Sequence, residues 1–225
     1  MGAVSVAVVD GILFDMDGTL VDSEKVWSVG LDRLAEHLGG RLSDAARHAM
    51  VGTSMSQSMR ILHDDLGVDA DESESVRYLE KRVSALFADG LVWRPGAPEL
   101  LAAVRAAGIP TALVTATRRH LVEVALITLG PHNFDAVVAG DDLADTKPHP
   151  APYRTAAELL GADARRCVAV EDSPNGITSA LAAGCVVVGV PCEVGLDHLE
   201  NVHLVDSLAD LSVAGLRDLV AAHAA

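Results

Sequence analysis

The 225-residue chain is short of aromatic residues, of lysine and of cysteine, and each shortage closes off a class of protein. Aromatics make up 3% of residues against 50% hydrophobic, so the core has to be built from Ala, Val and Leu, which suits closely packed helices and strands. Lysine occurs only as Lys25, Lys81 and Lys147, with arginine as the main cation. Against 17 basic residues stand 32 acidic ones, and the net charge of −15 argues against a nucleic acid or an anionic membrane as partner. An anionic ligand must instead be drawn in locally, by a metal ion and a few basic side chains. Cys167, Cys185 and Cys192 are odd in number and lack CxxC spacing, which fits buried thiols of a reducing cytoplasm better than a disulfide framework or zinc site. No apolar run reaches the roughly 18 residues needed to span a bilayer, and residues 1–9 lack a basic, then apolar, leader pattern. The expectation is a cytoplasmic protein without a signal segment, a monomer or weak homodimer.

What the chain does have is a succession of short β-branched runs at Gly11–Phe14, 111–115, 136–139, 167–170 and 186–190, with a weaker one at 203–205. Helical patterns separate the later ones, at 97–107, 118–129, 151–160 and Pro174–Ala183, and a last one closes the chain at Val213–His223. Helices alternating with unbroken apolar strands predict an α/β fold with a doubly wound, parallel, Rossmann-like sheet. Between 21 and 92 that rhythm stops. Trp27, Leu31, Leu34 and Leu38 form one helical stripe ended by Gly39-Gly40; Met59, Leu62 and Leu66 form a second ended by Gly67; Val76, Leu79, Val83 and Leu86 form a third ended at Gly90. This predicts an all-helical cap, residues 21–92, inserted into a core of residues 1–20 and 93–225, with hinges near 20–23 and 92–95.

Open parallel sheets place ligands at the carboxyl ends of their strands. Those ends carry Asp15 and Asp17 after the first strand, Thr115 after the second, Lys147 beyond the third and Glu171-Asp172 after the fourth. The pattern suits a phosphate ester. One carboxylate attacks phosphorus, a hydroxyl and a lysine hold the equatorial oxygens, a second carboxylate handles the leaving-group proton, and a further acidic pair fixes a magnesium ion. Taken singly, each residue has a plainer use: a solvated turn for the DxD, a surface charge for Lys147, a strand end for Thr115, a helix N-terminus for Glu171-Asp172.

Four motifs in order bear on the choice: Asp15-Met16-Asp17-Gly18-Thr19-Leu20, Val114-Thr115-Ala116, Lys147-Pro148-His149-Pro150 and Val170-Glu171-Asp172-Ser173-Pro174-Asn175-Gly176. In them the chain resembles the haloacid dehalogenase superfamily phosphohydrolases with a helical cap, in the subgroup of sugar-phosphate phosphatases and β-phosphoglucomutases. The resemblance implies Asp15 as nucleophile, forming an aspartyl-phosphate, and Asp17 as the acid and base. It implies Thr115, the backbone near Ala116, and Lys147 as phosphoryl ligands. Magnesium would fall to Asp15, the Asp17 carbonyl and Asp172, with Glu171 beside them. Arg118, and Thr53 and Ser54 in the cap loop 51–55, are further substrate-binding candidates.

A small phosphorylated metabolite, probed as a sugar or polyol phosphate, is the expected substrate. The mutases of this subgroup carry basic residues in the cap loop, where this chain has Val51 and Met55, so hydrolysis is expected over phosphosugar mutation. A dehalogenase has no use for Asp17. A phosphorylated regulatory domain would place its aspartate after the third strand, and a non-catalytic phosphate-binding protein would have no need of all of Asp15, Asp17, Lys147 and Asp172. Trp27 reads as core, and Glu24 as a surface acid.

Overall fold

The computed structural model describes residues 9–51 and 53–223. Residues 1–8, over which no signal segment is expected, residues 224–225, and Gly52 of the cap loop lie outside the described residues. Six strands, β1 (Gly11–Phe14), β2 (Thr111–Val114), β3 (Ala136–Val138), β4 (Cys167–Glu171), β5 (Val186–Gly189) and β6 (His203–Leu204), form one all-parallel sheet in the order β3-β2-β1-β4-β5-β6. The two-residue β6 is exposed at the edge, which accounts for the weak signal at 203–205.

Alternate residues along each strand feed two separate cores, as the period of two requires. Ile12, Phe14, Leu113, Val168, Val170 and Val188 join one cluster; Leu13, Ala112, Val114, Ala169 and Val187 join the other. On the first face lie α5 (Ala97–Ala106), α6 (Arg119–Leu129) and α9 (Val213–His223), through residues such as Leu101, Leu121 and Leu216. The second face is covered by α7 (Ala151–Leu159) and α8 (Pro174–Ala183), through Tyr153, Ala156, Ile177 and Ala180.

Four helices stand between β1 and α5: α1 (Glu24–His37), α2 (Asp44–Met50), α3 (Met55–Leu66) and α4 (Glu72–Ala88). The α2 helix has no counterpart in the sequence stripes. It is only 7 residues long and buries Ala46 and Met50 alone, too little periodicity to register; Ser43 starts it by accepting the Ala46 N–H. Leu34, Met59, Leu62, Leu79, Val83 and Phe87 pack these helices into the same cluster that covers the first face of the sheet. No helix of the described residues is long and apolar enough to cross a membrane.

Leu113 is fully buried in the middle of β2. Leu113→Ala should cost about 2–5 kcal/mol, seen in urea titration as a lower midpoint with an unchanged slope.

Candidate active site

The pairing of Phe14 with Val170 and with Leu113 brings the residues just past β1, β2 and β4 to one level. Asp15 carries the extended path one step beyond β1, its N–H donating to Val170 O at 3.0 Å. Gly18, at φ 77°, then turns the chain back; a Cβ there would strike the Asp172 carboxylate. The turn closes with Leu20 N–H on Met16 O, under the fully buried Met16 and Leu20 side chains.

At the centre is the Lys147 ammonium, which donates to Asp15 Oδ1 at 2.6 Å, to Glu171 Oε1 at 2.6 Å and to Val114 O at 2.8 Å. All three of its protons are thereby placed. Burial works against its charge, but Asp15 and Glu171 outweigh that and hold its pKa above the ordinary value. The fully buried Glu171 also accepts from Tyr153 OH at 2.6 Å, while its other oxygen accepts from Ser173 Oγ at 3.0 Å. Gly176 leaves room for this carboxylate, which any Cβ would hit. Burial pushes Asp15 up to about 7; Lys147 opposes the shift, and Glu171 and Asp17 add to it. Asp172, which accepts from Thr19 Oγ1 at 3.2 Å, is held well above the carboxylate range by burial, then by Asp15 and Glu171.

Asp17 lies one residue from Asp15 in different surroundings. Its Oδ1 accepts from Ser23 Oγ at 2.6 Å and from Trp27 Nε1 at 3.3 Å; its Oδ2 accepts from Thr117 Oγ1 at 2.7 Å and from Thr115 Oγ1 at 3.2 Å. The core and α1 therefore share the grip on one carboxylate.

The sequence pattern of the haloacid dehalogenase-like hydrolases matches residues 9–184. Hexitol phosphatase A of Escherichia coli (strain K12) is 34% identical over 216 residues, spanning 90% of this chain and 93% of that protein. The phosphoglycolate phosphatase of Neisseria meningitidis is 35% identical over 193 residues, 81% of this chain and 80% of the relative. Among solved structures, CbbY from Rhodobacter sphaeroides in complex with xylulose-1,5-bisphosphate superimposes with a TM-score of 0.80 at 29% identity, covering 93% of this chain and 99% of that one. The chain belongs to the haloacid dehalogenase-like hydrolases. It is thus a phosphoric monoester hydrolase.

The structure draws Asp15, Lys147, Glu171 and Asp172 together, and adds Tyr153 and Thr19 to them. Oxygen atoms of Asp15, Glu171 and Asp172 lie within 4.8 Å of one another, and the Lys147 ammonium pairs with two of these three carboxyl groups, Asp15 and Glu171. Hard oxygen ligands with surplus negative charge fit a divalent cation. The Asp17 carboxylate stands outside that group. For this hydrolase Thr115 is oriented by Asp17 and by the Thr117 N–H at 3.0 Å, while Ala116 is exposed beside it.

Three candidate contacts are not brought to the cluster. Thr53 Oγ1 bonds Met50 O and Ser58 Oγ, and Ser54 caps α3 by accepting the Gln57 N–H. Arg118 faces Glu80 of α4. Trp27, read from its stripe as core, both packs edge-on against Phe87 and reaches Asp17. Glu24 is half-buried, and burial, Glu193, Asp17 and Asp22 raise it to about 7. Tyr153 gave no signal in the sequence, since a Tyr on an apolar helix face reads as packing; a buried hydroxyl needing a partner was the only clue.

The sign of the Asp15 shift sets a pH dependence for the metal-free protein. With a folded value of about 7 against 3.8, protonated Asp15 favours the fold, and that contribution is lost as pH rises through this window. Asp15→Asn removes the titrating group. In EDTA, the Tm of the variant should climb relative to wild type between pH 4 and 7, reaching several degrees; a difference that stays flat with pH would refute the assignment.

Proposed function

We propose that the chain is a magnesium-dependent phosphatase of small sugar or polyol monophosphates, with residues 21–92 as a cap over a core of 1–20 and 93–225. The observation that carries the reading is the pair of carboxylates one residue apart, Asp15 against the Lys147 ammonium and Asp17 under four donors. One is placed beside a buried cation and the other within a set of hydroxyls, so the two can take different parts in one reaction.

An Asp15 oxygen attacks phosphorus, and the bond from phosphorus to the ester oxygen breaks. Asp17 delivers a proton to the departing oxygen, and the alcohol leaves. Asp17 then takes a proton from a water whose oxygen attacks the aspartyl-phosphate, releasing phosphate and restoring Asp15. Lys147, Thr115 and the backbone at Ala116 hold phosphoryl oxygens in these steps. Magnesium, when bound by Asp15, Asp172 and the Asp17 carbonyl with Glu171 alongside, supplies positive charge against the phosphoryl oxygens.

Two features support a substrate whose alcohol part is uncharged and hydroxylated. Glu24 at the start of α1 sits with Glu193, Asp17 and Asp22, an acidic wall that repels the carboxylate of phosphoglycolate and accepts hydrogen bonds from hydroxyls. In the 51–55 loop, the hydroxyls of Thr53 and Ser54 serve α3, and Met55 packs on the core, so no described residue there offers a charge to a second phosphate. The similarity to hexitol phosphatase A points the same way.

Phosphate release should be measured on hexitol, hexose and glycolate monophosphates, with magnesium and with EDTA. Magnesium-dependent turnover is expected to be greatest on a polyol or sugar phosphate, and to fall by roughly three orders of magnitude or more in Asp15→Asn. Preference for phosphoglycolate would overturn the substrate class, and wild-type silence across the panel would overturn the phosphatase.

A further inference from the structure

The buried stripe of α4 contains a charge where its pattern calls for an apolar side chain. Val76, Leu79, Val83 and Phe87 recur at helical spacing and are all buried, and Glu80 lies among them, 7% exposed. An acid is kept at such a place only where it has partners, because burial penalises its charged form. Its two oxygens face a guanidinium and an imidazole of the core: Glu80 Oε1 is 3.4 Å from Arg118 Nε, and Oε2 is 3.6 Å from His120 Nε2. Both partners are half-exposed and stand at the start of α6, Arg118 as its N-cap residue. The first turn of α6 has no acid of its own, and Arg118 makes no side-chain cap, so Glu80 also places a negative charge near the positive end of that helix.

The segment leading directly into Arg118 is Thr115-Ala116-Thr117. Thr115 and Thr117 hold Asp17 Oδ2, and the Thr117 carbonyl is pinned in turn by the Gly140 N–H at 2.8 Å. A shift of α4 against the start of α6 therefore moves one flank of the Asp17 site. The other flank, Ser23 and Trp27, belongs to α1, which packs on α4 through Phe87.

We propose that Glu80 is a positioning residue: through Arg118 and His120 it fixes α4 on the segment 115–117, so that both flanks of the Asp17 carboxylate stay in register. This rests on the reading of Asp17 as the acid and base of the phosphatase. It also gives Arg118 a task other than touching substrate. A conflict between a local pattern and a retained charge is expected where function requires the charge.

Glu80→Leu tests the assignment, because leucine suits the apolar position. A purely stabilising role predicts a lower Tm with unchanged turnover. The positioning role predicts a preserved or raised Tm with kcat down about ten-fold and KM changed by less than two-fold, since small misplacements of catalytic groups act on kcat. Glu80→Asp should recover part of the loss. Arg118→Ala should lower kcat in the wild-type background and add nothing to Glu80→Leu. An increase in KM in Arg118→Ala that persists beside Glu80→Leu would instead place Arg118 on the substrate and overturn the inference. Acrylamide quenching of Trp27 fluorescence, in a Trp93→Phe background, gives a readout that does not need turnover: Glu80→Leu should make Trp27 more accessible. Unchanged kcat in an active Glu80→Leu enzyme, or unchanged quenching, would overturn the inference. An inactive wild type would count against the phosphatase, leaving quenching to decide the role of Glu80.

Discussion

Everything at the carboxyl edge of this sheet depends on one buried ammonium. Lys147 is 6% exposed at its side chain and lies between Asp15 and Glu171, themselves 8% and 0% exposed. Neither carboxylate could be kept there without it: leaving a buried charge unpaired costs on the order of 3–5 kcal/mol. Nor could the lysine, whose pKa these partners hold up against burial. The three groups come from β1, β4 and the loop after β3, so the ion pairs tie together strand ends that the sheet's own hydrogen bonds have already brought level. Tyr153 extends the tie to α7, and Ser173 to the start of α8. The site is thus a continuation of the fold, with the polar atoms of each strand end satisfied by the next element in the chain.

The same arrangement leaves negative charge in excess, and this is what makes it chemically useful. Asp15 and Asp172 are pushed up chiefly by burial, to which Glu171 adds for both, Asp17 for Asp15 and Asp15 for Asp172, and Lys147 offsets this only in part. A protein without a task for these groups would be more stable with fewer of them. In the proposed reaction a cation and a phosphoryl group would complete the balance. The Asp17 carboxylate, one residue on, is held by a different set of donors, Ser23, Trp27, Thr115 and Thr117, just before the left-handed turn at Gly18.

Much of this was legible from the chain itself. Unbroken apolar runs located β1, β2, β4 and β5, because strands buried on both faces need no alternation. The motif residues at their ends fell where a parallel sheet must put them. The α2 helix was not legible, since 7 residues with two buried side chains leave no period to detect. Thr53, Ser54 and Arg118 stand at loop–helix junctions, where a hydroxyl or a guanidinium has two uses; their local partners, Met50 O, the Gln57 N–H and Glu80, left no signature in the sequence. Trp27 shows the reverse: an indole on an apolar stripe was enough to assign it to the core, yet its one N–H needed an acceptor, and Asp17 is that acceptor.

The few aromatics that occur divide between the two faces of the sheet. The face under α7 and α8 mixes Ala112, Ala156, Ala169 and Ala180 with Leu13, Val187 and Ile177, and Tyr153 is the aromatic residue of that cluster. Its hydroxyl reaches the strand end from within the apolar layer. On the other face, Phe14 of β1 and Phe87 of α4 fill the space between sheet and inserted helices. Trp27 rests on Phe87 and turns its polar edge to Asp17. Aromatic residues therefore concentrate where the helices between β1 and β2 meet the strand ends. A continuous apolar cluster across that junction packs the inserted helices against the first face of the sheet, and Ser23 and Trp27 reach Asp17 from the helical side of it.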